Sequence, residues 1–420
     1  MRRVVVTGMG ILSPLGIGVE HNWKRLIRGD QGVRRIEHFE VDELDSKIAG
    51  IIPKGEGEGD YNEEAIFGRR ERSRNDSFIL YSLATTEEAL QDAGWKPEDE
   101  EELERTGVIL GSGVGGFSTI TAGALDFAER GQKAISPFFI PAQVINLASG
   151  QVAIKYGFKG PNYSVVSACS TGADSISSGA RAIQLDEADV VITGGSDAVV
   201  HPLAMAGFCR AKAMSTGYND TPEKASRPFD TGRDGFVIAE GAGVLILEEL
   251  EHAKKRGATI YAEILGFSSA SDAYHITATA PDGNGERRAL TLALDRAKVD
   301  PGDVDYVNAH ATSTPVGDVG ELAALSTIFK GNENLAISST KSAVGHTLGA
   351  AGAIESIYSI CAINRGLVPP TLNLENKEPG YDHLNLVPNE AQEKKVDIAV
   401  SNAFGFGSTK STLVYSKFNG

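Results

Sequence analysis

The chain has 420 residues, 41% of them hydrophobic, with 48 glycines and a formal net charge of −16. That length allows two domains or two halves with ample core, and the acidity argues against general binding to nucleic acid or to anionic membrane. No apolar run reaches the length of a membrane span, and the three scattered cysteines, Cys169, Cys209 and Cys361, form neither a disulfide framework nor a zinc spacing, which fits a reducing cytoplasm.

In chain order, Val4–Thr7 reads as a strand entered directly from the N-terminus, without a signal-peptide pattern. The Gly-Met-Gly-Ile-Leu-Ser run from Gly8 has Ser13 where a dinucleotide fingerprint needs its third glycine. Residues 40–62 read as loop, and Ser77–Gly94 as an amphipathic helix stopped by Gly94. After an acidic stretch at 97–104, a strand over Gly107–Leu110 leads into Gly111-Ser-Gly-Val-Gly-Gly116. This turn satisfies Gly-x-Gly-x-x-Gly formally, but no second strand ends in an acid about 20 residues on, so both glycine runs read as tight turns. Ser136–Pro141 is an aromatic segment bounded by prolines, followed by a helix over Ala142–Tyr156.

Val165 and Val166 predict a buried strand ending at Cys169, where a small-residue helix begins. A cysteine there meets backbone N–H groups and the positive helix end, which predicts a stabilised thiolate. A lone apolar cysteine is nevertheless more often inert core, as expected for Cys209 and Cys361. Strands follow at Ala188–Thr193 and Gly243–Glu248, and a helix at Leu250–Arg256. A second half begins near Ala258: strand Tyr261–Gly266, helix Gly285–Lys298, strand Val304–His310, strand Leu335–Ser339, a helix through Ile363, and strands at Ile398–Ser401 and Thr412–Ser416. The halves echo each other in order, so a duplicated α/β unit is expected, divided into 1–257 and 258–420. Cys169, His310, His346 and Phe406 all fall near carboxyl ends of predicted strands, where ligands gather in such sheets.

Four segments carry a family resemblance: Val-Val-Ser-Ala-Cys169-Ser-Thr-Gly, Asn-Ala-His310-Ala-Thr-Ser-Thr-Pro-Val-Gly-Asp318, Ser-Ser-Thr-Lys341-Ser-Ala-Val-Gly-His346-Thr-Leu-Gly, and Asn-Ala-Phe404-Gly-Phe406-Gly. Together, in this order, they resemble the β-ketoacyl-acyl carrier protein synthases over essentially the whole chain. Synthase II is the nearest type, on Ser-Pro-Phe-Phe-Ile-Pro141 and Ser-Asp-Ala-Tyr-His275, and synthase I its neighbour. The resemblance implies a thiolase fold, two similar halves in five α-β-α-β-α layers, working as a homodimer. It implies a decarboxylative Claisen condensation between a Cys169-bound acyl chain and a malonyl group on acyl carrier protein, in fatty-acid elongation.

A thiolate attacks thioesters and leaves well, and two imidazole N–H donors stabilise the enolate formed when CO₂ departs. The resemblance gives those donors as His310 and His346, with Lys341 as the supporting lysine; Glu355, on the following helix, is placed to partner it. The backbone N–H groups of Cys169 and Phe406 would form a second oxyanion hole, with Phe406 gating the acyl pocket. Thr312 and Thr314 would bind the phosphopantetheine arm, which arrives on the carrier protein, so no resident cofactor or metal is expected. Phe404 and Val114 are further substrate-contact candidates, and Phe138 and Phe139 could line the same acyl pocket. Arg69, Arg70, Arg72, Arg74 and Lys212 are the candidate patch for the acidic carrier; the alternative for the arginine run is a solvated face paired with local acids.

His201 and His275 read as structural. Where the family commonly has Gly-Phe-Gly-Gly-Thr-Asn, this chain has Gly405-Phe-Gly-Ser408-Thr-Lys410, and Ala311 replaces a common glycine. Competing functions are a thiolase-like enzyme, a chain-length-factor-like partner and a cysteine hydrolase. No cysteine follows Cys361 and the nucleophile is present, which argues against the first two; nothing in the sequence points to the admitted water that the third requires.

Overall fold

A computed structural model describes residues 1–420. Ten strands form the body of one sheet: β1 Val4–Ser13, β2 Thr106–Gly111, β3 Asn162–Tyr163, β4 Val190–Asp197, β5 Gly241–Glu249, β6 Ala262–Ser271, β7 Tyr306–Asn308, β8 Ala336–Ser338, β9 Ile398–Gly405 and β10 Thr409–Ser416. Their spatial order is β3-β2-β4-β5-β1-β6-β10-β9-β7-β8. Adding five to each number of the first half gives the second half in mirror order, so the duplicated reading holds strand by strand. Pairing senses repeat as well. β2 is parallel to β3 and β4 as β7 is to β8 and β9, while β5 and β10 run antiparallel to those blocks.

Helix α1, Ser77–Ala93, packs outside the first half of the sheet, and helix α2, Asn284–Ala297, outside the second. Between the halves lie two small-residue helices, α3 Thr171–Gln184 and α4 Ala351–Arg365. The result is five layers, with one apolar core around the two central helices and one between sheet and outer helices on each side. Thirteen consecutive residues of α4, Ala351–Ile363, are buried, because this helix has sheet on either side. The two central helices touch backbone to backbone. A Cβ on Gly172 would lie 2.8 Å from Ala353 N, and one on Gly352 would lie 2.7 Å from Ala173 N.

Three expectations need correction. β1 runs on to Ser13 through the first glycine run. Gly8 and Gly10 sit where a Cβ would strike the backbone oxygens of Ala89 and Thr85 at 2.3 and 2.0 Å, so these glycines admit helix α1, not a nucleotide. The strand expected through Val165 and Val166 is only Asn162–Tyr163. It is the last strand of the sheet, pairs on one side alone, and leaves Val166 55% exposed. The helix expected over Ala142–Tyr156 is two, Phe139–Gln143 and Leu147–Tyr156.

Candidate active site

Each central helix is preceded by a single tight turn, Ala168–Ser170 before α3 and Leu348–Ala350 before α4. Both turns open on a residue in the left-handed region, Ala168 at φ 52° and Leu348 at φ 50°, at a cost of ~1–3 kcal/mol each. The duplication therefore places Gly349 opposite Cys169, three residues beyond His346.

The end of β9 closes on the Cys169 turn. Ser170 Oγ donates to Ala403 O at 2.9 Å, and Thr409 Oγ1 donates to Ser167 O at 3.2 Å. A Cβ on Gly405 would lie 2.9 Å from Ser167 O and 3.1 Å from Cys169 N, so only glycine permits this approach. The approach brings the backbone N–H of Phe406, with that of Cys169 itself, to the thiol. Both N–H groups, with the charge of Lys341, favour the thiolate. Burial outweighs them and pushes the thiol up to about 11, contrary to the expected stabilised thiolate. The two amides and the lysine do not replace the lost hydration, and the charge of Asp197 adds to the rise.

His310 and His346 meet edge to face, with ring centroids 5.4 Å apart. His346 is 3% exposed, and its ring also meets Phe236; His310 also meets Phe404 at 5.6 Å. Burial, then the positive charge of Lys341, holds both imidazoles well below their usual range. Both rings are therefore neutral at pH 7, and each keeps one N–H to donate. The Nδ1 atoms of both are buried without a protein partner.

Lys341 begins a short helix after β8 and is 1% exposed. It forms a buried ion pair with Glu355 of α4, the partner expected from the sequence. Burial pushes Glu355 up to about 7, opposed by Lys341.

Two acids near the site had no role in the sequence reading. Glu321 accepts the backbone N–H groups of His310 at 2.9 Å and Ala311 at 2.7 Å, and the side-chain amide of Asn402 at 3.0 Å. It ties the turn after β7 to β9, and burial pushes it up to about 7. Asp197, at the end of β4, accepts from Ser112 Oγ, Gly113 N, Val114 N and Gly349 N. Its carboxylate occupies the amides of the second glycine run, which a nucleotide phosphate would need. An acid closing an apolar strand was the available signal for Asp197. Nothing local marks Glu321 as different from a surface acid.

Cys169 and Val114 pack against one apolar cluster that includes Val199, Met205 and Leu348. Thr312 and Thr314, just past His310, place their hydroxyl oxygens 3.1 Å apart. Phe138 and Phe139 line a cavity of about 300 Å³ with Thr119 and Gly123. Among the basic residues, Arg69, Arg70 and Lys212 are exposed. Arg72 pairs with Glu64 at 2.9 Å, and the Arg74 guanidinium lies 4.1 Å over the Phe138 ring. His201 and His275 accept backbone N–H groups in their own turns, and Cys209 and Cys361 are buried.

The family model "Beta-ketoacyl synthase, N-terminal domain" matches residues 1–253, and "Beta-ketoacyl synthase, C-terminal domain" matches residues 261–375. The chain belongs to the β-ketoacyl synthase family. It is 48% identical to 3-oxoacyl-[acyl-carrier-protein] synthase 2 of Rhizobium meliloti (strain 1021) over 423 residues, with 100% of both chains covered. It is 46% identical to the mitochondrial 3-oxoacyl-[acyl-carrier-protein] synthase of Arabidopsis thaliana, covering 99% of this chain and 93% of that one. A crystal structure of a β-ketoacyl synthase from Burkholderia phymatum STM815 superposes with a TM-score of 0.91 at 35% identity, covering 100% of each chain. These synthases share the thiolase-like architecture described above. No helix is long and apolar enough to cross a membrane.

Proposed function

We propose that this β-ketoacyl synthase catalyses the decarboxylative condensation of an acyl chain held on Cys169 with malonyl-acyl carrier protein in fatty-acid elongation, as a synthase of type II. The observation that carries the reading is a thiol beside two backbone N–H groups together with two neutral imidazoles in edge-to-face contact, His346 buried and His310 half-buried. In the first half-reaction the Cys169 sulfur attacks the acyl thioester. The carrier's sulfur leaves and takes the proton that Cys169 gives up, while the N–H groups of Cys169 and Phe406 hold the oxyanion. In the second, the malonyl carboxylate leaves as CO₂ and its electron pair forms an enolate, to whose oxygen His310 and His346 donate. The enolate carbon attacks the Cys169 thioester. The new carbon–carbon bond gives the β-ketoacyl carrier, and the Cys169 sulfur departs and is reprotonated.

Neutral imidazoles suit this work, because an N–H donor in a dry site stabilises developing charge by ~3–4 kcal/mol. Burial keeps both rings unprotonated, and the charge of Lys341, paired with Glu355, adds to it. Thr312 and Thr314 are proposed to hold the pantetheine arm that the substrate brings, with Phe404 and Val114 bounding the chain, and no resident cofactor is needed. A structural relative at 31% identity and TM-score 0.90 is described as a type II polyketide acyl carrier protein in complex with its ketosynthase, which supports a carrier-protein partner. The residues proposed for that contact here are Arg69, Arg70, Arg72, Arg74 and Lys212. A homodimer, a cytoplasmic setting, and division into halves at 257/258 complete the reading.

The test is the intact mass of the protein after incubation with acyl carrier protein loaded with chains of graded length, followed by malonyl-carrier. Acylation of Cys169 and its release on malonyl addition are expected. A protein that never gains the acyl mass would refute the assignment.

A further inference from the structure

Asp197 closes β4 with a carboxylate that is sealed from solvent and takes no part in the proposed chemical steps. Each of its oxygens accepts two donors. Oδ1 takes Ser112 Oγ at 2.6 Å and Val114 N at 3.2 Å, and Oδ2 takes Gly113 N at 3.0 Å and Gly349 N at 2.6 Å. Three of these donors follow β2 in the first half of the molecule; the fourth lies in the tight turn before α4 in the second. All four are neutral, so dipoles hold the negative charge without cancelling it. Burial pushes the carboxyl up, and the donors oppose that rise.

The two turns meet where both have glycine. A Cβ on Gly349 would lie 2.4 Å from Gly113 N and 2.6 Å from Asp197 Oδ2, and one on Gly113 would lie 3.3 Å from Ala168 O, next to Cys169 in the chain. The residues flanking this contact, Val114 and Leu348, both enter the apolar cluster against which Cys169 packs. Leu348 sits at φ 50°, a conformation that persists only where its surroundings hold it. The bond from Gly349 N to Asp197 is such a hold.

We propose that Asp197 is a specificity-determining positioning residue: by gripping Val114 N and Gly349 N on one carboxylate, it sets the gap between Val114 and Leu348 beside Cys169, and so which acyl chains fit there. A pocket discriminates between chains by single methylenes only while its walls are fixed, and here one buried group fixes walls that come from two halves of the molecule. Its charge acts at the same place. Among the charges that bear on the sulfur, Lys341 favours the thiolate and Asp197 opposes it. The selection of acyl chains rests on the proposed function; the grip on the two turns and the charge at the sulfur do not.

The experiment uses Asp197→Asn in the full chain. The amide keeps the shape of the carboxylate but turns an NH₂ toward two N–H groups that need an acceptor. The spread of kcat/KM across carriers bearing short, medium and long acyl chains should narrow by about fivefold or more. Iodoacetamide should label Cys169 about threefold faster at pH 8, with the plateau rate at high pH unchanged, because removing a negative charge displaces the titration. A rate raised equally at every pH, plateau included, would mean only a more exposed sulfur and overturns the charge effect. Ser112→Ala removes one donor and no charge. It should narrow the spread in the same direction with the alkylation profile in place, and it stands in if Asp197→Asn does not fold. An unchanged spread of kcat/KM in the folded variants overturns the positioning role. A wild type whose Cys169 is alkylated but never takes up an acyl group overturns the proposed reaction instead.

Discussion

Cys169 carries the nucleophile of the proposed reaction. Its thiol is pushed up to about 11, burial outweighing the Phe406 and Cys169 amides and Lys341, so at neutral pH it rests as the thiol. Because the group is raised, its thiolate fraction should grow with pH across the whole range from 7 to 10. Alkylation by iodoacetamide should climb about tenfold per pH unit there. A plateau below pH 8 in the pH–rate profile would show that the amides win. The histidines are tested separately. His310→Ala and His346→Ala should each slow malonyl decarboxylation by roughly 10²–10³, while Cys169→Ala should abolish acyl transfer and keep part of the decarboxylation. A histidine variant that decarboxylates at the parent rate removes that residue from the enolate site.

At the scale of elements, the site depends on close approaches that a single methyl would spoil. Gly405→Ala would place its Cβ 2.5 Å from Thr409 Oγ1 and 2.9 Å from Ser167 O, so β9 must draw back and carry the Phe406 N–H with it. Loss of one oxyanion donor predicts roughly 10²-fold slower acylation, with decarboxylation less affected; single-turnover acylation rates decide. The helix pair is equally tight. Gly352→Val forces α4 away from the Ala173 backbone, and overpacking of this kind costs ~1–3 kcal/mol or more. Thermal unfolding should show a lowered midpoint, whereas an unchanged midpoint would mean that the helices part without cost.

At the scale of the whole molecule, charge is the limiting feature. A chain at −16 repels an acidic carrier except where positive side chains are concentrated, because each charge reaches only about 8 Å at physiological salt. The structure narrows the candidate patch: Arg72 and Arg74 are engaged with Glu64 and Phe138, and Arg69, Arg70 and Lys212 are the free ones. Arg69→Glu/Arg70→Glu should raise KM for carrier-bound substrate with little change in kcat, and leave a small pantetheine thioester unaffected. An unchanged ratio of the two KM values would make the cluster an ordinary solvated face.

The sequence by itself determined the order of most sheet strands, the repeat of one half in the other and, through the family resemblance, the nucleophile and imidazoles, but not the helices Val19–Arg28, Phe117–Arg130, Pro202–Arg210 and Pro315–Ile328. These are carried by local periodicity, glycine punctuation and short motifs. Even the Lys341–Glu355 pair was legible, since an acid on the helix after a strand-end lysine is a near neighbour in the chain. The tertiary structure alone decided the protonation states, because burial is a property of everything packed around a group and no motif encodes it. It alone decided that Gly8 and Gly10 admit a helix, that Asp197 fills the second glycine turn, and that Glu321 and Asn402 brace His310 across 81 residues of chain. Val165 and Val166 had strand-forming side chains but only one neighbouring strand, and a segment at a sheet's end lacks the second set of hydrogen bonds that would have extended it. Lys410 shows the limit most plainly: as a sequence it is a charge in an odd place, and only the fold brings Asp272 and Glu286 to it.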